Sequence, residues 1–197
     1  SVQHLKISSL TAAIVAGADI ILNPYNTFVI HYAGMLSPEG RCKTLDAAAD
    51  GYVRAEAVCG TAMCTAGTGA EAAPVAVLGC ATNQDGRSSS LTAPHGPSQQ
   101  AVIQECLRNG GVPPEKVSGL QMHGTGTPLG DPIEMGAIAH VLVQGLAREA
   151  PLSLSAAKAN LGHGEAAAGT LGMLQAAACV TAATTAPNPH LRDLNLL

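Results

Sequence analysis

Residues 120–134 read LQMHGTGTPLGDPIE. Leu120, Gln121 and Met122 make a short strand, and the glycine-rich turn from His123 to Gly130 follows it. Asp131 is placed to cap a helix that has Pro132 at its first position and Glu134 three residues past the cap, the spacing of a capping box. That helix should run to about Gly145. A strand passing through a tight turn into a capped helix is the repeating unit of a layered α/β fold, and such folds carry their reactive groups where strands end in loops.

The neighbouring segments extend this alternation. Ser98 precedes a helical pattern with Val102, Ile103, Cys106 and Leu107 on one face, and Asn109-Gly110-Gly111 supplies its stop. Leu152 to Ser155 is a strand candidate. The alanine-rich stretch from Glu165 to Ala183 reads as a long helix with little polar surface, expected to be largely buried and ended by Pro187. Upstream, Val75 to Cys80 is expected as a buried strand entering a loop that continues to Pro97. Ala12 to Leu22, an apolar run broken only by Gly17 and Asp19, is expected as another, after a helix remnant at 1–10. The expected architecture is therefore an α/β layered domain with strands buried on both faces.

Composition narrows the function classes. Of 197 residues 47% are hydrophobic, enough for a sizeable core. Only 12% are charged, with a net charge of -4, so no basic surface exists to neutralise a run of phosphates and nucleic acid is set aside. Aromatic residues are 2% with no Trp, so the core must be closely packed Ala, Val, Leu and Ile. No apolar run has the length of a membrane span, and SVQHLKISSL lacks the basic region followed by an apolar one that a signal peptide has. The scattered cysteines Cys42, Cys59, Cys64, Cys80, Cys106 and Cys179 read as reduced thiols acting as small buried hydrophobes. Cys59 and Cys64 have no matching second pair, so no metal site is expected. Cytoplasm is the default location, with a plastid as the alternative.

Two loops could do chemistry: 123–131, HGTGTPLGD, and 158–165, KANLGHGE. Each offers one histidine beside glycine, which lets the backbone turn sharply and a substrate atom approach. A neutral imidazole carries one N–H donor, and two donors aimed at one oxygen stabilise an enolate or oxyanion in a dry cleft. The alternative for a lone histidine is a hydrogen-bonded structural role.

The segments HGTGTPLGDPIE at 123–134 and KANLGHGEAAAG at 158–169 resemble the two histidine motifs of β-ketoacyl synthases, the ketosynthase domains of type I polyketide synthases in particular. MLSPEGRCKTLDAAADGYVRAE at 35–56, NQDGRSSSLTAPHGPSQQ at 83–100 and the closing PNPHLRDLNLL agree in order and spacing. The resemblance covers residues 17–197, with 1–16 a weak match, and implies a thiolase-like fold of α-β-α-β-α layers, mostly its C-terminal part. It implies decarboxylative Claisen condensation of an acyl thioester with a malonyl-type extender on acyl carrier protein, in polyketide or fatty-acid biosynthesis. His123 and His163 match the histidines that bind the malonyl thioester carbonyl, and Lys158 the lysine beside the second; the alternative for Lys158 is a salt bridge to Glu134 or Glu165. Thr125 and Thr127 match a hydroxyl clamp on the phosphopantetheine arm, their alternative being turn capping. Asp131 and Glu134 are read as helix caps rather than catalysts.

The implied partners are an acyl carrier protein or domain, whose pantetheine arm is the only prosthetic group called for, and a second copy of the complete domain. The family's nucleophilic cysteine stands in a DTACSSS-like turn ahead of the first matched segment, and no such stretch is present. The sequence is therefore expected to be a partial domain, inactive alone and prone to aggregate. A condensing-like module that binds acyl carrier protein or has a structural role without elongating is the alternative. Around Arg54-Ala55-Glu56-Ala57 the chain departs from the family's RGEG pattern, so a strand register slip is expected there, and Gly164 replaces a larger apolar residue.

Overall fold

The computed structural model describes residues 11–65, 73–86, 88 and 93–196. The helix remnant expected at 1–10 lies outside them. The elements are β1 (Ala12–Asp19), α1 (Tyr25–Tyr32), β2 (Ala57–Cys64), α2 (Gly96–Gly110), β3 (Gly119–Gln121), α3 (Gly130–Leu142), β4 (Ser153–Ser155), α4 (Ala157–Leu161) and α5 (Ala168–Ala182), with short 3-10 turns at Pro114–Lys116 and Glu165–Ala167.

The core forms where β3 and β4 meet α3. The two strands pair in parallel, Leu120 opposite Leu154, as two strands joined through a helical crossover must. Ile138, Val141 and Leu142 of α3 pack there with Met122, Leu45, Ala156 and Ala159, and Ile103 and Leu107 of α2 cover the cluster. With so few aromatics, closure depends on small residues letting backbones approach. Gly79, for example, lies so near α2 that a Cβ there would come within 2.4 Å of the Cys106 carbonyl.

The expected strand 120–122 and strand 152–155 are both present, and α2 ends as expected, with Gly111 left-handed at φ 63. It starts earlier than Ser98, from His95, because Pro97 suits the first turn. α3 ends at Leu142, three residues short of Gly145.

Other expectations are corrected. Ala12 to Asp19 is a strand, but among the described residues it pairs only with β2, antiparallel, and both strands alternate half-buried and exposed residues, Ile14 of β1 at 83% and Val58 of β2 at 74% exposure. Cys59 and Cys64 belong to this regular ladder, which runs from Ala12–Cys64 to Asp19–Ala57 without a slip. Residues 75–80 form no strand, since no partner strand lies beside them among the described residues, and Val77 and Leu78 are exposed. α5 buries only Ala168; Met173, Leu174 and Val180 are exposed, so its apolar surface is real but uncovered. Helix α1, carrying Tyr25, Phe28 and Tyr32, has no counterpart among the sequence expectations. Of the cysteines only Cys42 is buried, whereas Cys64 is exposed.

Candidate active site

The C-terminal ends of the paired strands bring the two histidine loops together. β3 leads into His123, and β4 leads through Ala156 into α4, which carries Lys158 and ends before His163. The imidazoles stand edge to face, centroids 5.7 Å apart at 85°. The Tyr52 ring packs against His163, centroids 4.9 Å apart at 48°.

Glycine has a definite reason at each loop. Gly124 has φ 47, and a Cβ there would lie 2.7 Å from Ala156 Cβ and Thr44 Cγ2. Gly162 has φ 77, with Ala55 Cβ at 2.9 Å from the same construction. The space beside each histidine is thus filled by protein, and the glycines serve close packing of the loops rather than an approach path for substrate.

The hydrogen bonds determine what each ring offers. Lys158 is buried, and its Nζ donates to the His123 carbonyl at 2.8 Å and lies 3.3 Å from His123 Nδ1. The Glu165 backbone N–H donates to His163 Nδ1 at 2.9 Å. A donor at Nδ1 leaves the ring proton on Nε2, so both rings are set as Nε2–H donors by their networks. Desolvation, then the Lys158 charge, lowers the pKa of both histidines to about 4; His163 lowers His123 further, while Glu165 opposes the shift at His163. His123 keeps an exposed outer edge, which tempers desolvation, but either way its ring is neutral at pH 7. Burial likewise lowers the Lys158 pKa, with Glu134, Cys42 and Asp131 opposing.

The helix-cap reading of Asp131 and Glu134 is corrected. Neither caps α3. Glu134 accepts the backbone N–H groups of His123 at 2.6 Å and Gly124 at 2.9 Å, so it grips the turn that presents the first imidazole. Asp131 accepts from Leu45 N at 2.9 Å and Gly126 N at 3.1 Å, tying the same loop to the 42–46 segment. Glu165 is bound by Arg54, and Lys158 meets His123 rather than the carboxylates of its alternative reading.

Thr125 is buried with its Oγ1 3.3 Å from Thr127 Oγ1, and Thr127 accepts the Gly130 N–H at 3.1 Å, a turn-capping bond. Cys42, the one buried thiol, accepts the Val53 N–H at 3.4 Å, and desolvation raises its pKa, so it is a protonated packing residue rather than a nucleophile. Among the described residues no cluster of three or more His, Cys, Asp and Glu is arranged to hold a metal ion. None of their helices is long and apolar enough to cross a membrane.

Sequence reasoning missed the roles of Arg54, Tyr52 and Glu134. The spacing of Glu134 suits two sets of N–H groups, and the nearer set is the one a capping box names. The Arg54–Glu165 pair spans 111 positions and left no local signal.

Solved structures define the class first. A ketosynthase from module 6 of the bacillaene synthase of Bacillus subtilis 168 superposes with a TM-score of 0.91 at 32% identity, covering 98% of this chain and 36% of that one. An oxazolomycin ketosynthase domain of Streptomyces albus JA3453 gives 0.89 at 26% identity, covering 98% and 35%. The fold is the thiolase-like α/β fold of condensing enzymes. Residues 75–192 match the beta-ketoacyl synthase C-terminal domain model and residues 1–66 the N-terminal one, and the chain belongs to the beta-ketoacyl synthase family, in its type I polyketide synthase branch. One polypeptide of the phenolphthiocerol/phthiocerol polyketide synthase of Mycobacterium tuberculosis is 42% identical over 98% of this chain, and another polypeptide of that synthase is 40% identical. The chain spans only 12% of the first of these relatives and 10% of the second.

Proposed function

We propose that this chain supplies the decarboxylating half of a ketosynthase site, in which His123 and His163 donate their Nε2–H groups to the thioester oxygen of a malonyl-type extender. The observation that carries this reading is the pair of neutral imidazoles, edge to face at 5.7 Å, each with Nδ1 occupied by a donor. Loss of CO2 breaks the bond from the carboxylate to the α-carbon and leaves that electron pair on the α-carbon and thioester oxygen as an enolate. Two fixed donors stabilise that oxygen without reorganising. The α-carbon then attacks an acyl thioester, forming the carbon–carbon bond and expelling the thiolate of the nucleophilic cysteine, which the remainder of the domain contributes in this reading.

Lys158 has two roles here. Its ammonium holds the His123 tautomer, and its charge keeps both rings unprotonated, since a second positive charge nearby disfavours imidazolium. Thr127, half-buried at the loop, and Thr125 beneath it are the proposed contacts for the pantetheine arm of an acyl carrier partner. The complete domain is proposed to work as a homodimer. Elongation is tested in the protein that carries this chain: an acyl thioester should leave a covalent adduct on a cysteine outside these 197 residues, seen by intact-mass spectrometry, and malonyl carrier should discharge it as the elongated product. Absence of an adduct would favour the non-elongating carrier-binding module instead.

A further inference from the structure

We infer that Arg54 is a positioning residue for His163, acting through Glu165. The inference rests on the reading of His163 given above and adds a residue to it.

Glu165 has a left-handed backbone, φ 35, a conformation unfavourable for any residue with a Cβ. From that bent turn its own N–H donates to His163 Nδ1, two residues earlier, at 2.9 Å. The turn has a restraint outside itself. Arg54 Nε donates to Glu165 Oε1 at 2.6 Å and Nη2 to Oε2 at 3.3 Å, a two-point fork on one carboxylate. Its third nitrogen, Nη1, donates to Thr27 Oγ1 of α1 at 2.8 Å, and Asp19 of β1 lies 3.9 Å from Nη2. The Arg54 side chain is only 7% exposed, so its position is set by packing rather than by solvent.

The same segment also holds the histidine's backbone. His163 N donates to the Val53 carbonyl at 2.8 Å, and Ala55 N donates to the His163 carbonyl at 3.0 Å. Residues 53–55 therefore fix His163 twice: by its backbone, and by the carboxylate of the residue whose N–H fixes its tautomer. If Arg54 lets go, the turn at 164–165 is free to leave the left-handed region and the Nδ1 bond is lost. The ring proton is then no longer confined to Nε2, the nitrogen that must donate to substrate.

Three substitutions separate this role from plain stability. Arg54→Ala and Glu165→Ala both remove the fork. Glu165→Gly removes it too, but glycine enters the left-handed region freely and keeps the N–H in place. The ionisable groups around His163 are Lys158, His123, Tyr52, Arg54 and Glu165, and Arg54→Ala also leaves the Glu165 carboxylate unneutralised beside the ring.

The measurement is made on the protein that carries this chain, labelled with 15N-histidine, by the long-range imidazole spectrum that distinguishes Nδ1–H from Nε2–H. Malonyl-thioester decarboxylation is followed in parallel. The expected result is an Nε2–H His163 in wild type and Glu165→Gly, and a mixed tautomer in Arg54→Ala and Glu165→Ala. In the same two variants kcat should fall about 10-fold with KM nearly unchanged, and in Arg54→Ala the acidic limb should move upward from about pH 4. Arg54→Ala combined with Glu165→Gly should recover the wild-type tautomer and rate. An unchanged tautomer in Arg54→Ala, or identical behaviour of the alanine and glycine variants at 165, would overturn the inference. Because the tautomer is read without turnover, a wild type that fails to decarboxylate would defeat the proposed function while leaving this test intact; should Arg54→Ala not fold, the comparison at Glu165 decides.

Discussion

At the scale of residues, the site depends on two side chains whose neutrality is imposed by their surroundings. In the folded protein both imidazoles are shifted down from the ordinary value of 6.5 toward about 4, the shift of His123 tempered by its exposed edge. Because the folded pKa is depressed, the folded state binds fewer protons than the unfolded one between these values. Stability is therefore fully present above about pH 6.5 and is lost as pH falls toward 4. The expected malonyl decarboxylation rate is flat from about pH 6 to 8 on the histidine side and declines only below about pH 5, as a pH-rate profile would record; a decline centred near 6.5 would mean the rings are not shielded. Glu134 gives a second expectation. Replacing it with Ala leaves the N–H groups of His123 and Gly124 without their acceptor. Urea denaturation should show a loss of about 2–3 kcal/mol, as for bonds to a charged group, and the proposed activity should fall further because the lost bonds hold the turn that presents His123. The histidines themselves were legible from their motifs, but the direction in which Glu134 points was not. Its spacing satisfies a capping box, and only the tertiary packing of α3 against the 123–126 turn decides which N–H groups it meets.

At the scale of elements, α2 and the parallel pair β3–β4 could be read along the chain because the signals that define them are local. Gly111 illustrates this: its φ of 63 is required by the helix stop, and no atom lies within 4 Å of where a Cβ would stand. Gly111→Ala should therefore cost about 1 kcal/mol in thermal or urea unfolding, a purely backbone effect. Gly126→Ala should cost distinctly more, since φ 78 is compounded by a Cβ 2.6 Å from the Lys43 nitrogen. The elements that departed from expectation are those whose state depends on partners far along the chain. Among the described residues, 75–80 have the composition of a buried strand but no strand to pair with, and α5 has the composition of a buried helix but no layer over its outer face. Apolar content reports that a segment should be covered; it does not report whether the cover is present.

At the scale of the whole molecule, the large apolar side chains left exposed on β1, β2, α1 and α5, among them Ile14, Val58, Phe28, Tyr32 and Val180, form more uncovered surface than a lone chain tolerates. The polypeptide of these 197 residues is expected to self-associate with concentration in size-exclusion chromatography, and a stable monomer across concentrations would show that these faces are not sticky. Family membership was legible from five collinear segments, because the family's motifs place particular residue types at fixed spacing. The arrangement that makes it a site, Lys158 on His123 and Glu165 on His163, arises only when β3 and β4 pair and carry the two loops to one end. The proposed chemistry depends on that arrangement, and its most direct test is the rate of CO2 release from a malonyl thioester by the protein that carries this chain, compared with His123→Ala and His163→Ala. A fall of about 100-fold or more is expected in each variant, the cost of removing one donor from a developing oxyanion, with little further loss in the double variant. Retention of the wild-type rate in either single variant would contradict the two-donor mechanism.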